Sequence, residues 1–232
     1  MREKPRVHSV DTFVHTYRLQ HVDAVVPSTK TLYNYIHQGL LEIKAIDLPR
    51  AVRIRKKSNK RPSTKKHLGK SIEEGPEEIN NRSRFGDWEI DSVLGLKTVG
   101  EPSILTLVER QTRYAVTKKL VEKKAEYVNQ AVLECMKPYP IKSITADNGN
   151  EFSSLSKIEG LDVYFAHAYS SYERGTNENF NGLLREFIPK GTSLKELNPT
   201  LLEDYTKAIN ERPRRIHSYQ SAKKLFELTQ TA

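Results

Sequence analysis

The sequence predicts a mixed α/β domain, a sheet flanked by helices, with a small helical segment at the N-terminus. Two observations favour this class. Three strand-like runs, 88–94, 103–108 and 114–120, follow one another with short connections, as in an antiparallel meander. After them, helix-like and strand-like segments alternate in the order βββαβαβα, which is typical of a mixed sheet with helices on its faces.

The composition excludes several classes of protein. The chain has 232 residues and a mass of 26.7 kDa, enough for one or two domains. Its apolar runs are far shorter than the ~20 residues that span a bilayer, and we find no signal peptide, so we expect a cytoplasmic protein with no membrane partner. The single cysteine, Cys135, excludes an intramolecular disulfide and a cysteine-based zinc site, and its apolar helical pattern predicts a buried position.

The charge of the chain favours a polyanionic partner. Lys and Arg number 38 against 29 Asp and Glu, which gives a net charge of +9 and a pI near 9.4. For a soluble chain such an excess usually indicates nucleic acid. The excess is uneven, because residues 50–70 hold ten Lys or Arg and no acidic residue.

Residues 1–49 contain two helical patterns. The first covers about 10–21, and the second follows Ser28, a good N-cap, and ends at Gly39. Two short helices with a turn between them fit a DNA-binding helix-turn-helix, and they also fit any small helical pair.

Residues 50–82 are predicted to be a linker, basic at first and then acidic. Blocks of like charge followed by Gly75 and Pro76 resist compact packing. The basic part is either a solvated tether or an arm that lies along DNA phosphates. The arm hypothesis depends on the residues Arg53, Arg55, Lys56 and Lys57.

Residues 83–191 contain the sheet, and residues 192–232 form a helical C-terminal extension. After the meander, the patterns predict a helix over 124–136, strands over 141–146 and 161–165, and a helix from 173 to about 187. Pro189 and Gly191 stop the last of these. The extension has helices near 198–210 and 221–228 on either side of a basic cluster.

Three carboxylates are candidates for chemistry. Asp91 lies in mid-strand, on the same face as Glu89, and a carboxylate between apolar neighbours is costly unless something compensates it. Asp147 follows a later strand, at the kind of strand end where ligands gather. Glu178 lies one turn into the next helix and shares its face with Asn181.

Each carboxylate alone has a plainer explanation. Asp147 could simply open a turn, and Glu178 could be a solvated helix residue. Together the three form a set of oxygen ligands that suits Mg²⁺ or Mn²⁺ rather than zinc. Two such ions ~3.5–4 Å apart can clamp the attacking and leaving oxygens of a phosphoryl transfer. A basic chain with this centre indicates an enzyme that cuts or joins strands of nucleic acid.

The carboxylates lie in longer motifs. These are GDWEID over 86–91, ADNGNEF over 146–152, YSSYERGTNENFNGL over 169–183 and NERPRR over 210–215, with further matches at 28–36 and 47–50. The set resembles the DDE transposases of the IS30 family, over nearly the whole chain. The long segment around Glu178 is highly specific, whereas Asp-Asn-Gly alone is not.

The resemblance implies an RNase H-like core, as in retroviral integrases, and a catalytic, metal-binding triad of Asp91, Asp147 and Glu178. It implies two Mg²⁺ or Mn²⁺ ions, cleavage at the ends of an insertion element and joining of the 3′-OH ends to target DNA. The implied partners are the terminal inverted repeats and the target DNA, bound by a homo-oligomer in the bacterial nucleoid. The family usually carries a further helix-turn-helix before the segment that begins here, and we expect this chain to lack it.

Further residues are candidates for DNA contact. Arg174 and Arg185 flank the third carboxylate and could bind phosphate or orient a carboxylate. Asn148 and Asn181 could position the carboxylates or DNA, or have plain turn and helix roles, and His167 fits a structural hydrogen bond better than catalysis. The remaining basic candidates either touch DNA or form a solvated face; they are Lys190, Arg212, Arg214 and Arg215.

Three functions compete at this point. The first is the recombinase itself. The second is a catalytically silent, truncated transposase that binds DNA or the full-length transposase and inhibits it. The third, a ribonuclease H on RNA–DNA hybrids, keeps the fold and the metals but gives no reason for the helical N-terminal segment.

Overall fold

A five-stranded mixed sheet forms the centre of the molecule. In this computed structural model the described residues are 9–48, 68–167 and 170–231. The strands are β1 (Asp87–Leu94), β2 (Ser103–Glu109), β3 (Ala115–Leu120), β4 (Ser143–Ala146) and β5 (Asp162–Phe165), and their spatial order is β3-β2-β1-β4-β5. β1, β2 and β3 pair antiparallel, which confirms the predicted meander, and β4 and β5 extend the sheet parallel to β1.

Helices cover both faces of this sheet. In chain order they are α1 (Val10–Gln20), α2 (Thr29–His37), α3 (Glu77–Asn81), α4 (Ala125–Met136), α5 (Gly175–Leu184), α6 (Pro199–Asn210) and α7 (Ala222–Gln230). α4 and α7 pack on one face, around Trp88, Ile90 and Phe226. α5 and α6 pack on the other, where Val93 and Phe180 are buried. The sheet therefore separates two apolar cores, as the predicted fold class requires.

The alternation predicted along β1 is confirmed. Trp88 and Ile90 enter the core beneath α4 and α7, whereas Glu89 and Asp91 hydrogen-bond to residues of α5 on the opposite face. β2 is buried along its whole length, because it lies inside the sheet and is covered on both faces. Cys135 on α4 is 1% exposed, as its pattern predicts.

Two elements differ from the prediction. The order βββαβαβα places a helix between β4 and β5, and this is wrong, because the chain forms only two 3-10 turns there, Asn150–Phe152 and Leu155–Lys157. Glycine, serine and asparagine are frequent in this stretch and disfavour a longer helix. The helix predicted from 173 to about 187 is divided into a 3-10 turn, Ser171–Arg174, and the shorter α5.

The second half of the predicted linker is packed against the sheet. Within 68–82, Ile72 and Ile79 are 4% and 0% exposed and cluster with Tyr164 of β5. The carbonyl of Lys70 accepts a 2.8 Å hydrogen bond from the end of β5. The linker prediction is wrong for this part, because two isoleucines bury enough apolar surface to outweigh the charges around them. The proposed basic arm, Arg53, Arg55, Lys56 and Lys57, lies outside the described residues.

Helix α1 packs on a small hairpin of the C-terminal extension, β6 (Pro213–Arg214) and β7 (Gln220–Ser221), and α2 packs on α1. The Tyr219 hydroxyl donates to Asp11 of α1 at 3.1 Å, and its ring stacks on His15 with centroids 3.6 Å apart. The predicted N-cap of α2 is confirmed, since the Ser28 side chain accepts from the third residue of the helix. In the parts of the chain described here, no helix has both the length and the apolar character needed to cross a bilayer.

We expect Ile79→Ala to lower the free energy of unfolding by about 2–4 kcal/mol, because it empties a fully buried site. Urea denaturation of the full chain measures this loss. The matched control is Val22→Ala, which removes the same kind of side chain from a position that is 84% exposed. Equal stability of the two variants would show that residues 68–82 are not part of the folded domain.

Candidate active site

A buried polar seam joins β1 to the helix that carries the third carboxylate. The backbone N–H of Asn177 donates to Glu89 Oε2 at 2.7 Å, near the start of α5. The side chain of Asn177 donates to the carbonyls of Glu89 and Thr106, and its Oδ1 accepts from the Thr106 hydroxyl at 2.8 Å. The seam fixes the N-terminal turn of α5 to the centre of the sheet, and a carboxylate at that helix end is electrostatically favourable.

Arg110 also belongs to this buried seam. Its Nη1 lies 3.4 Å from Glu89 Oε1, and the two side chains are 3% and 0% exposed. The same Nη1 donates to the carbonyl of Glu173, just before α5, at 3.3 Å. Burial lowers the pKa of Arg110, and the charge of Glu89 opposes that shift. Sequence reasoning missed this pair, although the placement of Glu89 on the face of Asp91 was the signal that could have found it.

Asp91 lies on β1, Asp147 directly follows the adjacent parallel strand β4, and both approach the same guanidinium. Arg174 Nη1 is 3.6 Å from Asp91 Oδ1, and its Nη2 is 3.4 Å from Asp147 Oδ2. Asp91 Oδ2 also accepts from Asn181 of α5 at 2.9 Å, and Asp147 Oδ1 accepts from the N–H of Gly149 at 2.8 Å. The structure thus brings two of the three predicted carboxylates close to each other, and the guanidinium of Arg174 contacts both.

The pKa of Asp91 is raised from its ordinary value. The largest cause is burial, and the carboxylates of Asp147 and Glu151 raise it further. The positive charge of Arg174 and the hydrogen bond from the Ser92 backbone act in the opposite direction. The site therefore holds negative charge that its own cation does not fully balance, which is the electrostatic condition for attracting another cation.

Glu178 is exposed on α5, the helix that packs against β1 and β2. It stands four residues after Arg174 and three before Asn181, so the three share one helical face. The two flanking residues contact Asp91, whereas Glu178 itself has its side chain in solvent. Among the described residues, no group of three or more His, Cys, Asp or Glu side chains is close enough to hold a metal ion. The convergence of Glu178 on the aspartates stays a prediction.

The donor set nevertheless fits a hard divalent ion. Asp91 and Asp147 offer carboxylate oxygens and are 29% and 38% exposed, so an ion can reach both. Hydrogen bonds orient both carboxylates: Asp91 accepts from Asn181 at Oδ2 and from the Ser92 N–H at Oδ1, and Asp147 accepts from the Gly149 N–H at Oδ1. One oxygen of each also faces Arg174. The guanidinium of Arg174 already contacts both carboxylates, at 3.6 and 3.4 Å. These contacts are long, so a metal ion could take the place of the guanidinium.

Glu151 is a fourth carboxylate at this edge of the sheet. It is 7% exposed, and Lys123 Nζ contacts its Oε1 at 2.8 Å. A Cβ at Gly149 would lie 2.6 Å from Glu151 Oε2 and 2.8 Å from Asp147 Oδ1, so both side chains close over that glycine. A larger residue at position 149 would push the carboxylates of Asp147 and Glu151 away from their present positions. Sequence reasoning did not single out Glu151, although it lies in the same motif.

Other candidates have structural contacts. Asn148 accepts from Leu68 N–H and donates to the carbonyl of Ala166, which ties the loop after β4 to the neighbouring segments. His167 Nδ1 lies 2.9 Å from Glu173 Oε1, as the structural reading predicts, and this contact raises the pKa of His167.

The predicted DNA-contact residues fall into different environments. Arg185 donates to the carbonyl of Leu94 at 2.7 Å, so it braces the end of β1. Arg212 pairs with Glu186 at 3.2 Å and lies over the ring of Phe187. Arg214 is half-buried, and its Nη2 donates to the carbonyl of Ile209 at 3.4 Å. Lys190 and Arg215 are exposed.

A cavity of about 380 Å³ lies elsewhere, between β3, α4 and α6. Thr117, Cys135 and Thr206 are part of its lining, and none of the three predicted catalytic carboxylates is. The carboxylates instead occupy an open edge of the sheet, as suits a large substrate better than a small molecule.

The comparison with known proteins settles the family. The chain is 95% identical over all its 232 residues to a probable transposase for the insertion-like sequence element IS1161 of Streptococcus salivarius, and it covers 68% of that protein. It is 36% identical over 165 residues to the transposase InsI for insertion sequence element IS30A of Escherichia coli K12. The chain belongs to the IS30 family of transposases.

Other members match over part of their length. The transposase for insertion sequence element IS4351 of Bacteroides fragilis is 37% identical over 161 residues. This IS30-family chain spans 49% of that relative and 42% of the IS30A transposase, which is half their length or less. No protein-family profile matches the sequence.

A solved structure supports the fold. The catalytic core domain of BIV integrase superposes with a TM-score of 0.50 and 16% identity, over 63% of this chain and 96% of that one. The RNase H-like, integrase-type architecture implied by the motifs is therefore confirmed for the sheet and its helices.

We expect Glu89→Gln to cost about 3–5 kcal/mol of unfolding free energy, because it leaves the buried Arg110 without its carboxylate. The control is Glu122→Gln, whose ion pair with Lys124 is exposed and is worth less than about 1 kcal/mol. Urea denaturation compares the two. A loss for Glu89→Gln no larger than that of the control would contradict the seam.

We expect Asp91→Asn to keep or raise the melting temperature at pH 7.5. Because the folded-state pKa of Asp91 is raised, the stability linked to this group is complete below its unfolded pKa and is lost as pH rises through the folded one. The charged form is thus the less stable one at neutral pH, and the advantage of the variant should vanish near pH 4. Calorimetry at the two pH values measures this. A melting temperature several degrees below wild type at pH 7.5 would assign Asp91 a structural role.

Proposed function

We propose that this chain is a DDE transposase, which cuts DNA at the ends of an insertion element and joins the 3′-OH ends to target DNA. The observation that carries the proposal is the meeting of Asp91 and Asp147 at adjacent strands of an integrase-type sheet, with Glu178 on the helix packed against them. Relatives named as transposases support the same reaction class. In the first step water attacks the scissile phosphate and the 3′-oxygen leaves as a 3′-OH. In the second step that 3′-OH attacks a phosphodiester of the target DNA, and the 3′-oxygen of the target strand leaves. Neither step needs a covalent enzyme intermediate or a nucleotide.

Asp91, Asp147 and Glu178 would hold the metal, Mg²⁺ or Mn²⁺, as a pair of ions. Bound there, divalent ions would polarise the scissile phosphate and lower the pKa of the attacking water or 3′-OH. The three side chains would supply only oxygen ligands, and the exposed position of Glu178 leaves it free to turn toward the aspartates.

Arg174 is proposed to move between two partners. Without another cation it neutralises Asp91 and Asp147 through contacts of 3.6 and 3.4 Å. When the aspartates have other cationic ligands, its guanidinium is available to a non-bridging oxygen of the DNA phosphate next to them. This reading joins the two alternatives left open for Arg174, because the same group first orients carboxylates and then binds phosphate.

The DNA would extend beyond the carboxylates over several basic surfaces. Lys190 and Arg215 are exposed, and the two short helices α1 and α2 follow one another near the N-terminus. We propose that this pair is a DNA-binding helix-turn-helix. We propose that terminal inverted repeats and target DNA are both bound in this way, by a homo-oligomer, with Arg53, Arg55, Lys56 and Lys57 along the phosphates. In the cell this places the chain at the nucleoid.

The test of the reaction is cleavage and strand transfer with labelled duplex that carries an element end, in Mg²⁺, Mn²⁺ or EDTA. We expect metal-dependent nicked and joined products from the wild type. Glu178→Gln and Asp91→Asn should each lower the rate at least about 100-fold, the scale of losing one charge-stabilising group. Glu196→Gln, an exposed acid outside the site, should cleave like the wild type.

Two results would count against the reaction. Equal rates for Glu178→Gln and Glu196→Gln would remove Glu178 from the triad. DNA binding without any product in either metal would favour the silent, inhibitory form of the protein instead.

A further inference from the structure

A second group of basic side chains lies near the start of β1, away from Asp91 and Asp147. Arg113 stands in the turn between β2 and β3, Arg214 lies on β6, and His217 ends the 3-10 turn that follows. We call these three residues the arginine pocket. Arg214 comes from the basic motif that the sequence analysis left between DNA contact and solvated surface.

Hydrogen bonds at the C-terminal end of α6 bring the three residues together. The side-chain amide of Asn210, at the end of α6, donates to the carbonyl of Ala115 and accepts from its N–H, at 2.8 and 2.9 Å. This attaches the end of α6 to the chain just after Arg113. Arg214 Nη2 reaches back to the carbonyl of Ile209 in the same helix end, at 3.4 Å. The guanidinium of Arg214 therefore lies beside the turn that carries Arg113.

Some hydrogen-bonding groups of the arginine pocket lack a partner among the described residues. Among the described residues, Nε of Arg214 and Nε2 of His217 are buried without a hydrogen-bond partner, and the side chain of Arg113 makes no hydrogen bond or ion pair. Buried polar atoms are nearly always satisfied, and buried charges are nearly always paired. The neighbouring Arg212 shows the usual arrangement, because Glu186 contacts it at 3.2 Å.

The electrostatics show the same excess of positive charge. The pKa of Arg214 is lowered to about 10, first by burial and then by the charges of Arg113 and Arg212. The pKa of His217 is lowered to about 4, by burial and by Arg113 and Arg214, against a hydrogen bond with the backbone of Thr112. The charges that act on these two groups are all positive. An anion between them would relieve both the repulsion and the missing hydrogen bonds.

The backbone around the pocket is strained as well. Arg113, Ser218 and Tyr219 have φ values of 62°, 51° and 63°, in the left-handed region that favours glycine. Such residues persist where the surrounding structure holds them, and they cluster at functional sites. Contacts with α1 hold Tyr219 in this conformation, because its hydroxyl donates to Asp11 and its ring stacks on His15.

We propose that Arg113, Arg214 and His217 bind a backbone phosphate of DNA. The chemistry is that of a phosphate dianion or diester, which suits guanidinium groups with free N–H donors. The N–H of Arg110 donates to the carbonyl of Asp87, so the turn lies at the start of β1, four residues before Asp91. Four strand residues span roughly 13 Å, about four base pairs of axial rise, so the pocket holds DNA a few nucleotides from the carboxylates. That DNA is the source of the phosphate rests on the proposed function.

The first arm of the test uses inorganic phosphate alone, titrated into the full chain and followed by NMR of the His217 ring and by calorimetry. We expect saturating phosphate to raise the pKa of His217 by at least about one unit, because an anion favours the charged ring. Arg113→Gln should weaken phosphate binding at least about 10-fold, and Lys157→Gln, an exposed residue on another part of the surface, should not. Arg113 is the residue to change because its side chain makes no hydrogen bond or ion pair with the described residues that the substitution would remove. An unmoved His217 and equal affinity in both variants would overturn the pocket.

The second arm uses duplex DNA over a range of salt concentrations, measured by fluorescence anisotropy. Arg113→Gln should reduce the slope of log K against log salt by about one, the value of one phosphate contact, and Lys157→Gln should leave it unchanged. Should Arg113→Gln melt well below the wild type, Arg113→Lys keeps the charge and should restore the slope. Phosphate binding that depends on Arg113, together with an unchanged DNA slope, would overturn DNA as the source. The pocket stands if both arms succeed while cleavage fails, because neither arm depends on catalysis.

Discussion

The contact on which the site depends is the buried seam between β1 and α5. Glu89 holds the start of the helix through the N–H of Asn177, and Arg110 neutralises that carboxylate inside the protein. Such a pair is expensive to bury and is costly to break, so it fixes the helix in one register rather than adding much stability. Because Asn181 and Arg174 lie on that helix and its cap, their contacts with Asp91 follow from the seam.

Most of the fold could be predicted from the sequence, because the strands and helices have clear periodicity. The meander, α4, α6 and α7 follow from alternation and from apolar spacing. The failures lie where one or two residues override a pattern. Ile72 and Ile79 anchor a segment that its charges make look like a linker, and the hairpin β6–β7 is too short to show a period. Contacts between distant parts of the chain are not visible in local patterns.

The candidate site could be predicted less completely. The motifs indicate Asp91 and Asp147, and the structure places them at one guanidinium, but the role of Arg174 between them depends on distances that no spacing contains. Glu151 and the Glu89–Arg110 pair are found only when strands and helices are assembled. The basic residues that looked equivalent in the sequence have different environments, because among the described residues Arg212 has a carboxylate partner and Arg214 has none.

Whether Glu178 shares a cation with Asp91 and Asp147 is measurable without catalysis, because each carboxylate that binds the metal contributes to its affinity. The most direct measurement is the affinity of the full chain for Mn²⁺, by electron paramagnetic resonance, without DNA. We expect Asp91→Asn, Asp147→Asn and Glu178→Gln each to weaken Mn²⁺ binding at least about 10-fold, the scale of a lost ligand or supporting group. Wild-type affinity in Glu178→Gln would contradict this expectation.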